Sequence, residues 1–466
     1  MWYPLEKIGV LVVCYGSRGV AMVDALSRSE KYAVDIYVAD KQRNPFNARH
    51  AKQHAVIPDL NVQAICKFAA NFKDEIDFGI VGPEKPIIDG VRDLIEEETG
   101  IPMICPTKRF AIEASKVAQR RLFETIAPKL NPRFRIFDPK EYSSSYSKLK
   151  DDLWSWLDEL DNNVVVKPDS PVAGKGVGVW GDHFATRESL FEHFMSNFER
   201  GTVIVEEKIE GEESSFQAFC DGRHIVPLPE TRDYKRAFDG DKGPNTGGMG
   251  SYKGVGELLP FMTDDEREEE LQVERTIFEK LKGRGSNPEL RGIPCYDAIM
   301  HTGKGMKVLE RNSRPGDPEI INLLPILKDD FVEVCLKIIE GRLKSIEFEK
   351  LASVVTYKVP MTYGGYMKDY GGNNLVSFEK AEDLSKKYGG RIRVYPGSVE
   401  LRDGQCYALG SRTVAVFGAA DDINNAREIS LDGIKAIDGP LWNRWDVASE
   451  QHIEKSIMHM KALRGR

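Results

Sequence analysis

Thr231-Arg232-Asp233-Tyr234-Lys235-Arg236-Ala237-Phe238-Asp239-Gly240-Asp241-Lys242-Gly243-Pro244-Asn245-Thr246-Gly247-Gly248-Met249-Gly250-Ser251-Tyr252 sets charged side chains among five glycines. It has almost no periodic apolar face, which predicts neither a core strand nor a core helix. A long loop inside a compact domain is as a rule functional or disordered. Its glycines let backbone N–H groups approach an anion, and its alternating charges suit a site that handles phosphate or metal. The plain alternative is a solvated cluster of turns.

Three other stretches bear on it. Val164-Val165-Val166-Lys167-Pro168 is a β-branched run that delivers Lys167 to a strand end. A glycine turn containing Gly174, Lys175 and Gly176 follows, then a second apolar run. This reads as a hairpin whose tip folds over phosphates. It is not a P-loop, because the Gly-x-x-x-x-Gly-Lys-Ser/Thr pattern is absent and a strand follows the turn. Val203-Ile204-Val205-Glu206-Glu207 is an apolar strand that ends in acids, turns at Gly211 and resumes. In Lys307–Glu319 a strand places Glu310 and Asn312 two residues apart, on one face by the period of two. A carboxylate and an amide oxygen are hard ligands suited to Mg²⁺ held partly by nucleotide phosphates. Pro315 is expected to end this strand before Arg314 can continue the face.

The remaining sequence sets bounds. A chain of 466 residues is too long for one core. Its 41% hydrophobic and 30% charged content is that of a globular protein. No apolar run approaches a membrane span, and no signal peptide is expected from the N-terminus. The net charge of −8 argues against a general nucleic-acid binder. Seven scattered cysteines without a Cys-x-x-Cys fit reduced thiols, hence a cytoplasmic setting. His50 and His54 stand at i and i+4 and could share a metal if helical, though no acidic or Cys partner is near in sequence. Asp297 could add a metal ligand, but a surface or structural role is the stronger reading. Residues 1–107 alternate strands (Ile8–Val13, Asp35–Ala39, Asp77–Val81, Met103–Cys105) with helices (Val20–Ser29, Val62–Phe72, Ile87–Glu98), a doubly wound pattern. The turn Cys14–Gly19 is not a dinucleotide fingerprint. A helix over Ile112–Ala127 carries Lys116 and Arg120 on one face.

Taken in order, the Lys strand and glycine turn, the acidic hinge, the charged glycine run and Glu310-x-Asn312-x-Arg314 resemble the ATP-grasp enzymes. More closely, the chain is similar to the glycinamide ribonucleotide synthetase (phosphoribosylamine–glycine ligase) family. Val81-Gly82-Pro83-Glu84-Lys85-Pro86, Glu113-Ala114-Ser115-Lys116, Gly410-Ser411-Arg412 and Asn443–Val447 extend the likeness over nearly the whole chain. The resemblance implies an α/β multidomain protein. Its N-terminal doubly wound (pre-ATP-grasp) domain would span 1–107, and the ATP-grasp central domain 108–130 and 206–345. A lid would occupy 131–205, and a C-terminal, mostly β α+β domain 346–466.

The implied activity is ligation of glycine to 5-phosphoribosylamine through a glycyl phosphate, with ATP as substrate and Mg²⁺ (or Mn²⁺) as cofactor. The implied protein is a monomer. Lys116, Arg120, Lys167, Gly174, Lys175 and Gly176 would serve the ATP phosphates, Glu206, Glu207 and Ile209 the adenine hinge, and Glu213 the ribose. Glu310 and Asn312 would hold the metal. Arg314, Asp233 and Lys235 would be catalytic. Arg18, Glu84, Gly247, Gly248 and Asp317 would bind the other substrates. Three positions depart from the family. Ser17-Arg18-Gly19-Val20 stands where the family has Gly-Arg-Glu-His, Tyr234 replaces a His, and Arg43-Asn44-Pro45-Phe46-Asn47 replaces a glycine-rich turn. These keep open a diverged ATP-grasp ligase that joins another small carboxylate to another amine.

Overall fold

A computed structural model describes residues 5–143, 145–170 and 176–465. The chain forms two compact units, one of Met1–Ala111, Ser214–Tyr296 and Asn312–Met458, the other of Ile112–Glu213, Asp297–Arg311 and His459–Arg466.

In the first unit a five-stranded sheet has the order Gln53–Val56, Tyr32–Asp40, Glu6–Cys14, Phe78–Val81, Met103–Ile104. Every neighbouring pair is parallel. Residues Ile8–Cys14 are buried without a break, as a strand covered by helices on both faces requires. The fifth strand, Gln53–Val56, has no apolar run to announce it, and it overturns the helical histidine pair. Helix Pro45–His50 ends at His50, so His54 lies on a strand, its ring buried 3.9 Å from Asp40. Burial raises the Asp40 carboxyl to about 7 and lowers the His54 imidazole to about 4. The helix expected over Ile87–Glu98 is two, Glu84–Asp89 and Val91–Thr99, parted by Gly90 at φ 88°.

A second sheet in this unit corrects the reading of residues 231–252. Arg232–Asp233 and Gly250–Lys253, the two ends of that run, are strands. They lie in the order Arg232–Asp233, Gly250–Lys253, Ala352–Pro360, Val414–Ala420, Ile392–Pro396, with Leu441–Asn443 also paired to Ala352–Pro360. All these pairs are antiparallel. Gly250 to Lys253 are all buried. The apolar alternation is missing because close approach replaces bulk there. A Cβ on Gly250 would meet the Val355 carbonyl oxygen at 2.5 Å. The buried Lys253 ammonium is solvated internally, donating to the carbonyls of Gly254 (2.8 Å), Gly256 (3.1 Å) and Leu351 (3.1 Å). Between the two strands the chain makes a hairpin, Arg236–Phe238 against Lys242–Asn245.

In the second unit, four antiparallel strands lie in the order Phe134–Phe137, Val203–Glu207, Val164–Pro168, Gly178–Val179. The expected hairpin is the pairing of Val165 with Val179 and Val166 with Gly178. Helices Tyr146–Glu159 and Arg187–Phe198 pack Leu149, Leu153, Leu157, Leu190 and Phe194 onto this sheet. The helix expected from Ile112 begins only at Lys116. Ile112–Ala114 is a 3₁₀ turn, and extended Ser115 is the N-cap, its hydroxyl accepting the Ala118 N–H. In the first unit, strand Ile225–Pro227 pairs antiparallel with Ala218–Cys220, the end of strand Glu212–Cys220. All seven cysteines are free thiols, six of them buried. Among the described residues no helix is long and apolar enough to cross a membrane.

Candidate active site

One charged group lies in the second unit. Strand Val164–Pro168 pairs with strand Val203–Glu207, which sets Lys167 opposite Ile204. The Lys167 ammonium lies 2.8 Å from Glu206 Oε2 and donates to the Leu309 carbonyl at 3.0 Å. Arg120, from helix Lys116–Ile126, grips the same carboxylate with two N–H groups at 2.6 and 3.2 Å, and its guanidinium also donates to the carbonyls of Val308 (2.9 Å) and Leu309 (2.6 Å). Two cations and one carboxylate are thus buried together, and the cations find further acceptors in main-chain carbonyls. Burial disfavours the ionised Glu206, but Arg120 and Lys167 outweigh it and hold the carboxyl down at about 2. Burial lowers the Lys167 ammonium against the pull of Glu206. Lys116 is buried at the start of its helix, where the Asp169 carboxylate accepts the Val117 N–H at 2.8 Å.

The other hinge and tip positions are placed individually. Glu207 Oε1 accepts the Arg133 N–H at 2.7 Å. Ile209 is half-buried. Glu213 is half-buried on strand Glu212–Cys220. Gly176 has φ 87°, and its carbonyl accepts from Asn197 Nδ2 at 3.2 Å. Gly174 and Lys175 lie outside the described residues. Glu310 and Asn312 occupy the end of strand Gly305–Asn312. Arg311 between them forms a buried fork on Asp297, Nε to Oδ1 at 2.8 Å and Nη2 to Oδ2 at 2.5 Å. Asp297 therefore has the structural role.

The first unit gathers residues that lie far apart in the sequence. The turn after strand Glu6–Cys14 starts helix Gly16–Ser27 at once, and Arg18 is buried in its first turn. Arg18 donates to the Pro315 carbonyl at 2.7 Å and stands 3.6 Å from Glu84 Oε2. Arg314 stands 3.8 Å from the same oxygen. The two guanidiniums hold the Glu84 carboxyl below its ordinary range although burial opposes this. Next in chain order comes Asp317. Its Oδ1 accepts from Tyr357 Oη at 2.6 Å, and its Oδ2 pairs with Arg412 at 3.2 Å. Arg412 also donates to the carbonyls of Gly247, Gly248 (3.3 Å) and Asp317 (3.0 Å). Gly16 has φ 73°, and a Cβ there would lie 3.3 Å from Asp317 Oδ2. Gly248 has φ 102°, and a Cβ there would lie 2.6 Å from Asp233 Oδ1; only glycine lets that carboxylate lie against the backbone. Arg18, Glu84, Asp233, Gly247, Gly248, Arg314 and Asp317 thus fall into one connected set. Lys235 is held through its carbonyl, which accepts the Thr246 N–H at 2.7 Å.

Sequence reasoning had not assigned Arg412, Tyr357, Tyr296 or Glu319 to the site. Arg412 stood in a stretch already singled out, so its charge was the signal. Tyr357 looks like any apolar residue in strand Ala352–Pro360, and only the register reveals it. Tyr296 donates to the buried Glu319 carboxylate, which also accepts from Ser215 Oγ at 3.2 Å.

Two modules with these side chains define an ATP-grasp ligase preceded by a doubly wound domain. Comparison with known proteins agrees. Residues 8–113 match the phosphoribosylglycinamide synthetase N domain, and residues 138–320 match its ATP-grasp (A) domain. The phosphoribosylamine–glycine ligase of Methanocella arvoryzae is 39% identical over 461 residues, spanning 98% of this chain and 100% of that protein. The Pyrococcus furiosus ligase is 36% identical over 463 residues, 98% of each chain. A crystal structure of phosphoribosylamine–glycine ligase from Thermotoga maritima superposes with a TM-score of 0.71 at 21% identity, covering 94% of this chain and 100% of that one. The chain belongs to the phosphoribosylamine–glycine ligase family.

Proposed function

We propose that the protein ligates glycine to 5-phosphoribosylamine at the expense of ATP, giving glycinamide ribonucleotide, ADP and phosphate, a step of purine biosynthesis. The observation that carries this reading is the connected set Arg18, Glu84, Arg314, Asp317 and Arg412, drawn from four separate segments of a chain that matches its relatives over nearly its whole length. A glycine carboxylate oxygen attacks the γ-phosphorus and ADP leaves. The amine nitrogen of phosphoribosylamine then attacks the acyl carbon, the bond from carbon to the phosphate oxygen breaks, and phosphate departs with the amine's proton released. Phosphoryl transfer of this kind asks mainly for positioning and charge neutralisation.

Lys116, Arg120 and Lys167 supply the positive charge for the ATP phosphates. Glu206, Glu207 and Ile209 form the adenine hinge through backbone groups, while the Glu206 side chain anchors the two cations. Glu213 takes the ribose hydroxyls. Arg314 stabilises the transferring phosphoryl group. Asp233, Lys235 and the Gly247-Gly248 backbone hold glycine and the attacking amine. Arg18, Glu84 and Asp317 receive phosphoribosylamine. Glu310 and Asn312 suit Mg²⁺ (or Mn²⁺). Held by Glu310 and Asn312, the ion would supply neutralisation of phosphate charge. A cytoplasmic monomer is the setting this reading assumes.

The replaced turn Arg43–Asn47 does not favour a different substrate, because its residues have structural work. Asn44 caps helix Pro45–His50, and its amide donates to the carbonyls of Pro396 (2.8 Å) and Gly397 (3.1 Å). The test is turnover of purified protein with ATP, Mg²⁺, glycine and freshly formed phosphoribosylamine. Equal amounts of glycinamide ribonucleotide, ADP and phosphate are expected. ADP formation that needs another carboxylate or amine would establish the diverged ligase instead. Arg18→Ala should raise KM for phosphoribosylamine about tenfold, a loss of roughly 1.4 kcal/mol, and leave KM for ATP and glycine unchanged. No change in any of the three would remove Arg18 from the substrate site.

A further inference from the structure

The position where the family has His and this chain has Tyr234 is flanked by Asp233 and Lys235, two residues read as catalytic. The Tyr234 ring is fully buried, and its hydroxyl leads away from them into a chain of polar contacts. Tyr234 Oη accepts the Ala448 N–H at 2.9 Å and lies 3.3 Å from His452 Nδ1. The other imidazole nitrogen, Nε2, lies 2.8 Å from Asp241 Oδ2. The second carboxylate oxygen of Asp241 accepts from Arg444 Nη2 at 2.7 Å. Asp241 and Tyr234 stand at the two ends of one segment: Tyr234 precedes the hairpin Arg236–Phe238/Lys242–Asn245, and Asp241 lies in its turn, at φ 56°.

The hydrogen-bond inventory of these groups admits an arrangement in which every one of their polar atoms is paired. Asp241 is ionised: burial opposes its charge, but the His452 contact and the Arg444 guanidinium outweigh that and hold its carboxyl below the ordinary range. Tyr234 keeps its proton, because burial pushes the phenol up. An imidazole whose Nε2–H donates to Asp241 presents an unprotonated Nδ1, which the Tyr234 hydroxyl can reach as donor. In that arrangement each of these polar atoms is satisfied. A neighbouring set fastens the same hairpin turn. Arg444 pairs with Asp446 at 2.5 Å and donates to the Arg236 carbonyl at 3.0 Å. Asp446 accepts the Gly240 N–H at 2.8 Å, and Asp239 accepts the Trp445 N–H at 2.8 Å.

We infer that Tyr234, His452 and Asp241 form a positioning relay that fixes Asp233, Lys235 and the Gly247-Gly248 turn for the two non-nucleotide substrates. None of the three is assigned contact with substrate; they act through the backbone on either side of them. Tyr234 follows Asp233 directly and ties it to the opposing strand, since its own N–H donates to the Gly250 carbonyl at 2.9 Å and its carbonyl accepts the Met249 N–H, next to Gly248, at 2.8 Å. A shift of the phenol therefore moves both walls of the Asp233–Gly248 contact.

This inference rests on the ligase activity proposed above, so the wild-type enzyme's turnover with phosphoribosylamine is established first; its failure would speak against the reaction and not against the relay. The relay is then tested with Tyr234→Phe, His452→Ala and His452→Gln, each checked for folding by thermal denaturation and assayed with each substrate varied. Tyr234→Phe and His452→Ala should raise KM for glycine and phosphoribosylamine about tenfold or more and leave KM for ATP within twofold. His452→Gln, whose amide can both donate to Asp241 and accept from Tyr234, should restore most of the loss. A purely structural tie would instead lower Tm and the active fraction with every KM unchanged. That outcome, an equal rise in KM for ATP, or a Gln variant no better than Ala would overturn the relay.

Discussion

Lys167→Met is expected to lower kcat by about 100-fold or more, the size of effect seen when one preorganised charge is removed from a transition state, while the protein stays folded. The expectation follows from how the ammonium is held. Lys167 comes from the rigid strand Val164–Pro168, and its Nζ is fixed by Glu206 and the Leu309 carbonyl. The Glu310 carboxylate adds a favourable field. A charge placed this way needs no rearrangement of side chain or solvent to meet an incoming phosphate. Methionine keeps the aliphatic bulk, so the strand packing survives. Glu206 retains its two bonds to Arg120, so no buried carboxylate is stranded and Tm should fall by only a few degrees. Steady-state kinetics with ATP varied, beside a thermal melt, checks both halves. A variant with near-normal turnover would place the ammonium outside the reaction. A collapsed melt would mean that the charge serves the fold instead.

The parallel sheet could be read from the sequence because a strand buried on both faces writes its burial as a continuous run: Val10 to Val13 have no exposed surface at all. The same logic fails for Gly250–Lys253. There the strand is as buried as Val10–Val13, but the neighbouring backbones come so close that Gly and Ser replace bulk, and the buried Lys253 finds its solvent in carbonyl groups. Hydrophobic periodicity cannot see a strand whose burial is met by small size and internal hydrogen bonds. Gln53–Val56 fails for the opposite reason, being a half-exposed edge strand with no apolar run. The site divides in the same way. Residues carried by compact motifs, such as Glu84 and Asp317, were legible one by one. Their grouping was not, because the bonds that join them span intervals of about 300 residues in the chain, as between Arg18 and Pro315. Arg412 and Tyr357 needed the register of the antiparallel sheet, a tertiary fact. The Glu206 side chain adds something its sequence position did not announce: besides the backbone role that the resemblance implies, its carboxylate anchors two cations.

That anchor leads to the largest effect expected on stability. Glu206→Gln should destabilise the unit made of Ile112–Glu213, Asp297–Arg311 and His459–Arg466 by roughly 3 kcal/mol near neutral pH, within the 3–5 kcal/mol typical of breaking a buried ion pair from one side. The carboxyl is held at about 2 in the folded protein against its ordinary 4.5; at about 1.4 kcal/mol per pKa unit this difference is worth on the order of 3 kcal/mol. The sign follows from proton binding. A carboxyl whose pKa is depressed by folding contributes its full stability above the unfolded value. It loses that stability as the pH falls through the window from about 4.5 to about 2, where the unfolded chain takes up a proton that the folded chain refuses. The wild-type protein should therefore lose stability across this window more steeply than Glu206→Gln, and the two should converge near its lower end. Trp156 reports on the same place, since its indole N–H donates to the Val205 carbonyl at 3.0 Å, one residue before Glu206. Urea titrations followed by tryptophan fluorescence at pH 7, 4 and 2.5 would measure the gap directly. Equal midpoints at pH 7 would mean that the attraction to Arg120 and Lys167 only offsets the cost of burying three charges. A gap that persists undiminished at pH 2.5 would show that the amide disturbs packing and that proton linkage at Glu206 is not its source.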